Sequence, residues 1–217
     1  MDTSALFVFR APPLVTLGAA ALAEFALLPA AEFGLLLADP IYWGVGVPRG
    51  DRHSVLVLPG LFAGDGYLEP LRRWLLLVGY TPVRSGLKRT PDWSEEVVNE
   101  LGGLAEESFR RSGRRVTIIG HSMGGVIARS VGLRHPAAVR HVITLGSPLM
   151  MSRGVMPESV RVTALYSRSD RIVRHPGALA RDPGARNVEV RGSHVGLTGN
   201  PEVYRLLGSL LHTPQPS

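Results

Sequence analysis

Cysteine is absent from this 217-residue sequence, which excludes a disulfide framework, a cysteine-based zinc site and a thiol nucleophile. Lysine is nearly absent as well: Lys88 is the only one, so arginine carries the formal charge of +6. Aromatic residues make up only 6%. The basic positions Arg72, Arg73, Arg110, Arg111, Arg114 and Arg115 are interleaved with acids rather than with stacking rings. A nucleic-acid interface needs a basic stripe with base-reading or stacking residues, and no such motif is present. The charge therefore reads as a solvated face, with attraction to an anionic membrane or substrate as the alternative.

Long uninterrupted apolar runs are missing too. Leu14 to Leu37 comes nearest, but Glu24, Pro29 and Glu32 divide it, and a membrane span asks for about 20 apolar residues without buried charge. One or two helices packed on the body of the protein are expected there, with peripheral membrane contact through 14–37 as the alternative. A secretory signal fits poorly, because Glu24 falls inside the apolar region and Arg10 is the only basic residue ahead of it. The expected location is cytoplasmic, with attachment to a membrane surface as the alternative. No metal cluster, phosphate loop or dinucleotide fingerprint is visible, so no cofactor is expected.

What is present is 45% apolar content, enough for one sizeable core. The expected organisation is an apolar helical segment over 1–50, a main domain over 51–212 and a frayed tail over 213–217, which holds two prolines. Beyond Pro48-Arg49-Gly50-Asp51, short apolar runs alternate with longer periodic segments. Strands are predicted at Val55 to Leu58, Val116 to Ile119, Val142 to Leu145, Val160 to Tyr166 and Asn187 to Val190. Helices are predicted from Tyr67 to Val78, from about Asp92 through Trp93 and Val97 to Phe109, from Val126 to Arg134 and from Pro201 to Leu211. Strands alternating with helices imply crossover connections, hence a mainly parallel sheet with helices on both faces.

Gly120-His121-Ser122-Met123-Gly124-Gly125 follows directly on a predicted strand and leads into a helix. That context makes G-x-S-x-G a nucleophile elbow: a strained turn exposes the serine at the carboxyl end of the sheet, against a helix N-terminus. The alternative is a serine that merely caps the helix. A serine hydroxyl needs a base, and the base needs an orienting acid. In this arrangement the chain order is nucleophile, acid, histidine, each after a strand. Asp170 follows the strand ending at Tyr166, with Asp182 in the same region as a competitor. His194 follows the strand ending at Val190, whereas His53, His121, His135, His141, His175 and His212 sit in less suitable contexts. A developing oxyanion needs two backbone donors: Met123 is the expected first, and Leu61, in the glycine-rich loop Pro59 to Gly64, the second.

Together these segments resemble the small, lid-less bacterial lipases and esterases of the α/β-hydrolase superfamily. The resemblance runs through Val55 to Gly64, Gly120 to Gly125, Val142 to Pro148, Tyr166 to Val173 and Gly184 to Leu197, in the family's order. It implies an α/β-hydrolase fold, with Ser122, Asp170 and His194 in the triad roles and the Leu61 and Met123 amides in the oxyanion roles. Two departures stand out. Many family members have His-Gly where this chain has Pro59-Gly60, and the first fifty residues have no counterpart in the smallest members.

Between Leu145 and Val160 there is too little chain for a large cap domain, so an open site is expected. Phe62, Leu149, Met150, Met151 and Met156, with Leu61 and Met123, are candidates for an apolar acyl wall; ordinary core packing is the alternative. The expected activity is hydrolysis of a small-molecule or lipid-like carboxylic ester. An acyltransferase or thioesterase using the same triad is one alternative, and a non-catalytic, membrane-associated interaction module is another. Oligomeric state is not legible.

Overall fold

The computed structural model describes residues 26–88 and 94–212. Six strands form a single parallel sheet: β1 (Ser54–Leu58), β2 (Thr81–Arg84), β3 (Val116–His121), β4 (Val139–Leu145), β5 (Arg161–Tyr166) and β6 (Arg186–Glu189). They lie side by side in the order β2-β1-β3-β4-β5-β6, and every neighbouring pair is parallel. The helices are α1 (Leu28–Ala38), α2 (Glu69–Leu77), α3 (Glu95–Ser112), α4 (Met123–Arg134), α5 (His175–Ala178) and α6 (Pro201–His212).

The central strands are apolar on both faces because both faces are covered. In β1 the two-residue period sends Leu56 and Leu58 into one core and Val55 and Val57 into the other. The first core is closed by Val97, Leu101 and Ala105 of α3 and Val126, Ile127 and Val131 of α4. The second is closed by Leu71, Trp74 and Leu75 of α2 and Val203, Tyr204 and Leu207 of α6.

Strand β2 has no signature in the apolar pattern. Thr81, Pro82, Val83 and Arg84 are all at least partly exposed, and a proline is tolerated because β2 is an edge strand. Ser94 caps helix α3 by accepting from the Val97 N–H at 3.3 Å; the predicted start near Asp92 and Trp93 lies outside the described residues. Of the apolar run from Leu14, residues 14–25 also lie outside them, as does the tail 213–217. The remainder forms α1, which buries Leu36 and leaves Leu35 and Leu37 exposed. Phe33 packs against Gly199. No helix among the described residues is long and apolar enough to cross a membrane.

Candidate active site

Strand β3 runs straight into Ser122, whose φ of 53° and ψ of −126° are unusual for a residue with a side chain. The strain is held by Ser122 N–H donating to the Leu145 carbonyl at 2.9 Å and by Gly125 N–H donating to the Ser122 carbonyl at 3.0 Å. A Cβ at Gly124 would overlap the carbonyls of Leu58 and Pro59, so only glycine lets the start of α4 come this close to the end of β1. Ser122 therefore sits at the carboxyl end of the sheet with the N-terminus of α4 directly behind it.

His194 and Asp170 come to the same point from the ends of β6 and β5. His194 is 4% exposed, as is Asp170. The His194 Nδ1–H donates to Asp170 Oδ2 at 2.7 Å, leaving Nε2 to accept from the Ser122 hydroxyl at 3.1 Å. The other carboxylate oxygen of Asp170 accepts from the N–H groups of Ile172 at 2.9 Å and Val173 at 2.8 Å. Those two bonds fix the plane of the carboxylate and aim Oδ2 at the imidazole. Asp182 has a different role. It is ion-paired with Arg129 and accepts from the Met156 N–H at 2.9 Å. Burial alone would raise its pKa, but these partners hold it below the ordinary carboxylate range.

Met123 opens α4, so its N–H has no carbonyl one turn back to bond. Leu61 lies in a turn closed by Ala63 N–H donating to the Gly60 carbonyl at 3.1 Å. That turn abuts the elbow: a Cβ built on Gly60 would stand 3.1 Å from the Ser122 Cβ. Of the five proposed acyl-wall residues, Phe62, Met150 and Met151 are exposed, at 55%, 69% and 48%. Leu149 and Met156 are buried, at 6% and 5%, among the residues of the first core.

Two residues in contact with the His194 loop escaped sequence reasoning. His121 is buried, and its Nε2–H donates to the His194 carbonyl at 2.9 Å. Burial, with the neighbouring His194, pulls its pKa down to about 3, so it stays neutral. The second is Glu32 of α1, which in sequence only interrupts an apolar run. Its carboxylate accepts from Ser193 N–H at 2.7 Å and from Ser193 Oγ–H at 2.5 Å. A Cβ at Gly196 would overlap that carboxylate, so the glycines beside His194 make room for it. A carboxylate set in an apolar helix, together with a Gly-Ser-His-x-Gly loop, was the available signal.

The fold and the grouping at the end of β3 define an α/β-hydrolase, and comparisons with known proteins agree. The carboxylesterase from Mesorhizobium loti superimposes with a TM-score of 0.59 at 18% identity, over 76% of this chain and 91% of that one. A lipase-esterase related protein from Clostridium acetobutylicum gives 0.59 at 12% identity, over 75% and 96%. The monoacylglycerol lipase of Paleococcus ferrophilus gives 0.54 at 13%, over 76% and 96%. At these identities the likeness is one of fold. No curated protein matches by sequence. The model of the PGAP1-like alpha/beta domain matches residues 86–199, just over half of the chain, and the chain belongs to that family. The matched span includes Ser122, Asp170 and His194.

Proposed function

We propose that this protein is a serine hydrolase that cleaves carboxylic esters through an acyl-enzyme on Ser122. The observation that carries the proposal is His194 bridging Asp170 and Ser122 at 2.7 and 3.1 Å. Ser122 Oγ attacks the ester carbonyl while His194 Nε2 takes its proton, and Asp170 stays ionised to stabilise the imidazolium. The carbonyl π electrons move to oxygen, where the Met123 and Leu61 N–H groups receive the negative charge; loss of one such donor costs about 10²–10³ in turnover. Collapse of the tetrahedral intermediate breaks the bond to the alkoxy oxygen, which leaves as the alcohol with the proton from His194. Water then repeats the sequence on the acyl-enzyme, releasing the acid and free Ser122.

The substrate reading rests on the exposed apolar side chains of Phe62, Met150 and Met151, which suit a short or medium acyl chain on a small or lipid-like ester.

The test is labelling of the protein and of Ser122→Ala by a fluorophosphonate, with hydrolysis of p-nitrophenyl esters of graded acyl length in the same samples. Labelling and turnover that both vanish in the variant are expected. Folded wild-type protein that neither labels nor turns over any ester ends the proposal.

A further inference from the structure

The loops that follow β4 and β5 carry a surface unlike the rest of the molecule. Met150, Met151, Val155 and Ile172 are exposed there, Val155 to 68%. Interspersed with them are Arg153, Arg171, Arg174 and Arg181, all exposed as well. None of these four guanidiniums takes part in a hydrogen bond or ion pair with a described residue. Arginines elsewhere do: Arg72 and Arg73 pair with Glu69, Arg110 with Glu107, Arg168 with Glu189 and Arg205 with Asp39.

The two loops are knit into one face. The Met150 side chain lies over α5, where a Cβ built on Gly177 would stand 2.6 Å from its sulfur. Buried Arg129 donates to the carbonyls of Arg153 at 2.8 Å and Gly154 at 2.7 Å while pairing with Asp182, which ties the first loop to the neighbour of Arg181. The Arg174 carbonyl accepts from the Gly177 N–H at 2.8 Å. Ile172 donates its N–H to Asp170 Oδ1 at 2.9 Å, so the face begins at the residue that holds His194. The backbone beneath is thus fixed by hydrogen bonds, whereas the apolar and cationic side chains above it are left unpartnered.

Acids do not offset the arginines. Asp170 and Asp182 are engaged with His194 and Arg129. Glu158 stands just before β5, toward the opposite end of the sheet. An apolar centre among unpaired guanidiniums matches a negatively charged lipid surface, whose phosphates meet the arginines and whose acyl boundary takes the apolar side chains. Methionine adapts well to such a mobile partner. The exposed leucines of α1 offer a second apolar surface, but residues 26–48 contain no basic residue and do contain Glu32 and Asp39. Charge therefore separates the two surfaces.

We propose that the face formed by residues 150–155 and 171–181 docks on an anionic lipid bilayer. Docking there sets the surroundings of Ser122 against the lipid, a consequence for substrate delivery that alone rests on the ester-hydrolase reading.

The test is co-sedimentation of the full chain with vesicles of phosphatidylcholine and with vesicles of phosphatidylcholine and phosphatidylglycerol in equal parts. The proteins are wild type, Ser122→Ala, a triple variant with Arg153→Gln, Arg174→Gln and Arg181→Gln, and the single variants Val155→Asp and Leu35→Ser. Wild type and Ser122→Ala bind the anionic vesicles alike, and binding weakens as salt rises. The triple variant binds about tenfold more weakly or worse, with an unchanged melting temperature because its guanidiniums have no partners to lose. Val155→Asp binds several-fold more weakly, and Leu35→Ser binds as wild type does. Folded wild type that ignores anionic vesicles overturns the proposal, as does wild-type binding by the triple variant or equal binding to phosphatidylcholine alone. A loss confined to Leu35→Ser moves the contact to α1 and overturns it too. Arginine-dependent binding by a chain that hydrolyses no ester upholds the docking face and ends only the enzyme reading.

Discussion

The imidazole of His121 donates from Nε2 to the backbone carbonyl of His194 at 2.9 Å, with the two rings 4.9 Å apart. One histidine thus holds the main chain of the other. Burial, with His194 beside it, keeps His121 neutral, so it acts here as a neutral donor.

His121 and His141 both have pKa values pulled to about 3 by burial. A histidine that is harder to protonate folded than unfolded binds fewer protons in the native state between about pH 3 and 6.5, so stability falls as pH falls through that window. Each contributes a loss of about 2 kcal/mol between pH 7 and pH 5. Urea melts at the two pH values check this, and a His141→Phe variant should show about half the drop. A flat profile from pH 7 to 5 would contradict the burial of both rings.

Glu32→Ala is expected to lower kcat on p-nitrophenyl esters about tenfold with little change in KM, because the loop carrying His194 loses its anchor on Ser193. Glu32→Gln keeps an acceptor for the Ser193 N–H and should recover most of the rate. An alanine variant with wild-type kcat would show that Ser193 needs no partner from α1.

Replacing Ser122 by glycine should raise the melting temperature while abolishing turnover. The backbone at φ 53° and ψ −126° costs a side-chain-bearing residue about 1–3 kcal/mol, and glycine enters it freely. Part of that gain is offset by the greater freedom of glycine in the unfolded chain. A thermal melt of Ser122→Gly beside Ser122→Ala isolates the backbone contribution; an equal or lower value for glycine would deny that the elbow is strained.

The Arg129 and Asp182 pair is 5% and 8% exposed, and Arg129 also donates to the carbonyls of Arg153 at 2.8 Å and Gly154 at 2.7 Å. Arg129→Ala leaves a buried carboxylate unpaired and should cost about 3–5 kcal/mol. The double change Arg129→Met with Asp182→Leu should cost much less. Denaturant unfolding of both variants makes the comparison.

The central strands were legible because full burial makes them continuous apolar runs, as in Val116 to Ile119. The grouping of Ser122, Asp170 and His194 was legible because each follows a strand, so their order along the chain determines where they meet. Strand β2 was not, since an edge strand with Pro82 and Arg84 has no apolar pattern to show. The burial of Leu149 and Met156 in the first core was not legible, because methionine and leucine look the same in sequence whether they line a cleft or fill a core. Glu32 was hidden for a different reason: its partner is 161 residues away, and no local pattern carries a contact of that range.

That distance also bears on the order in which the protein can assemble. Glu32 leaves the ribosome well before Ser193, which follows all six strands in the chain. Closing so long a loop is entropically expensive unless the intervening sheet has already brought its ends together. The histidine loop therefore locks last, and the hydroxyl of Ser122 meets its base only in a molecule whose folding is nearly finished.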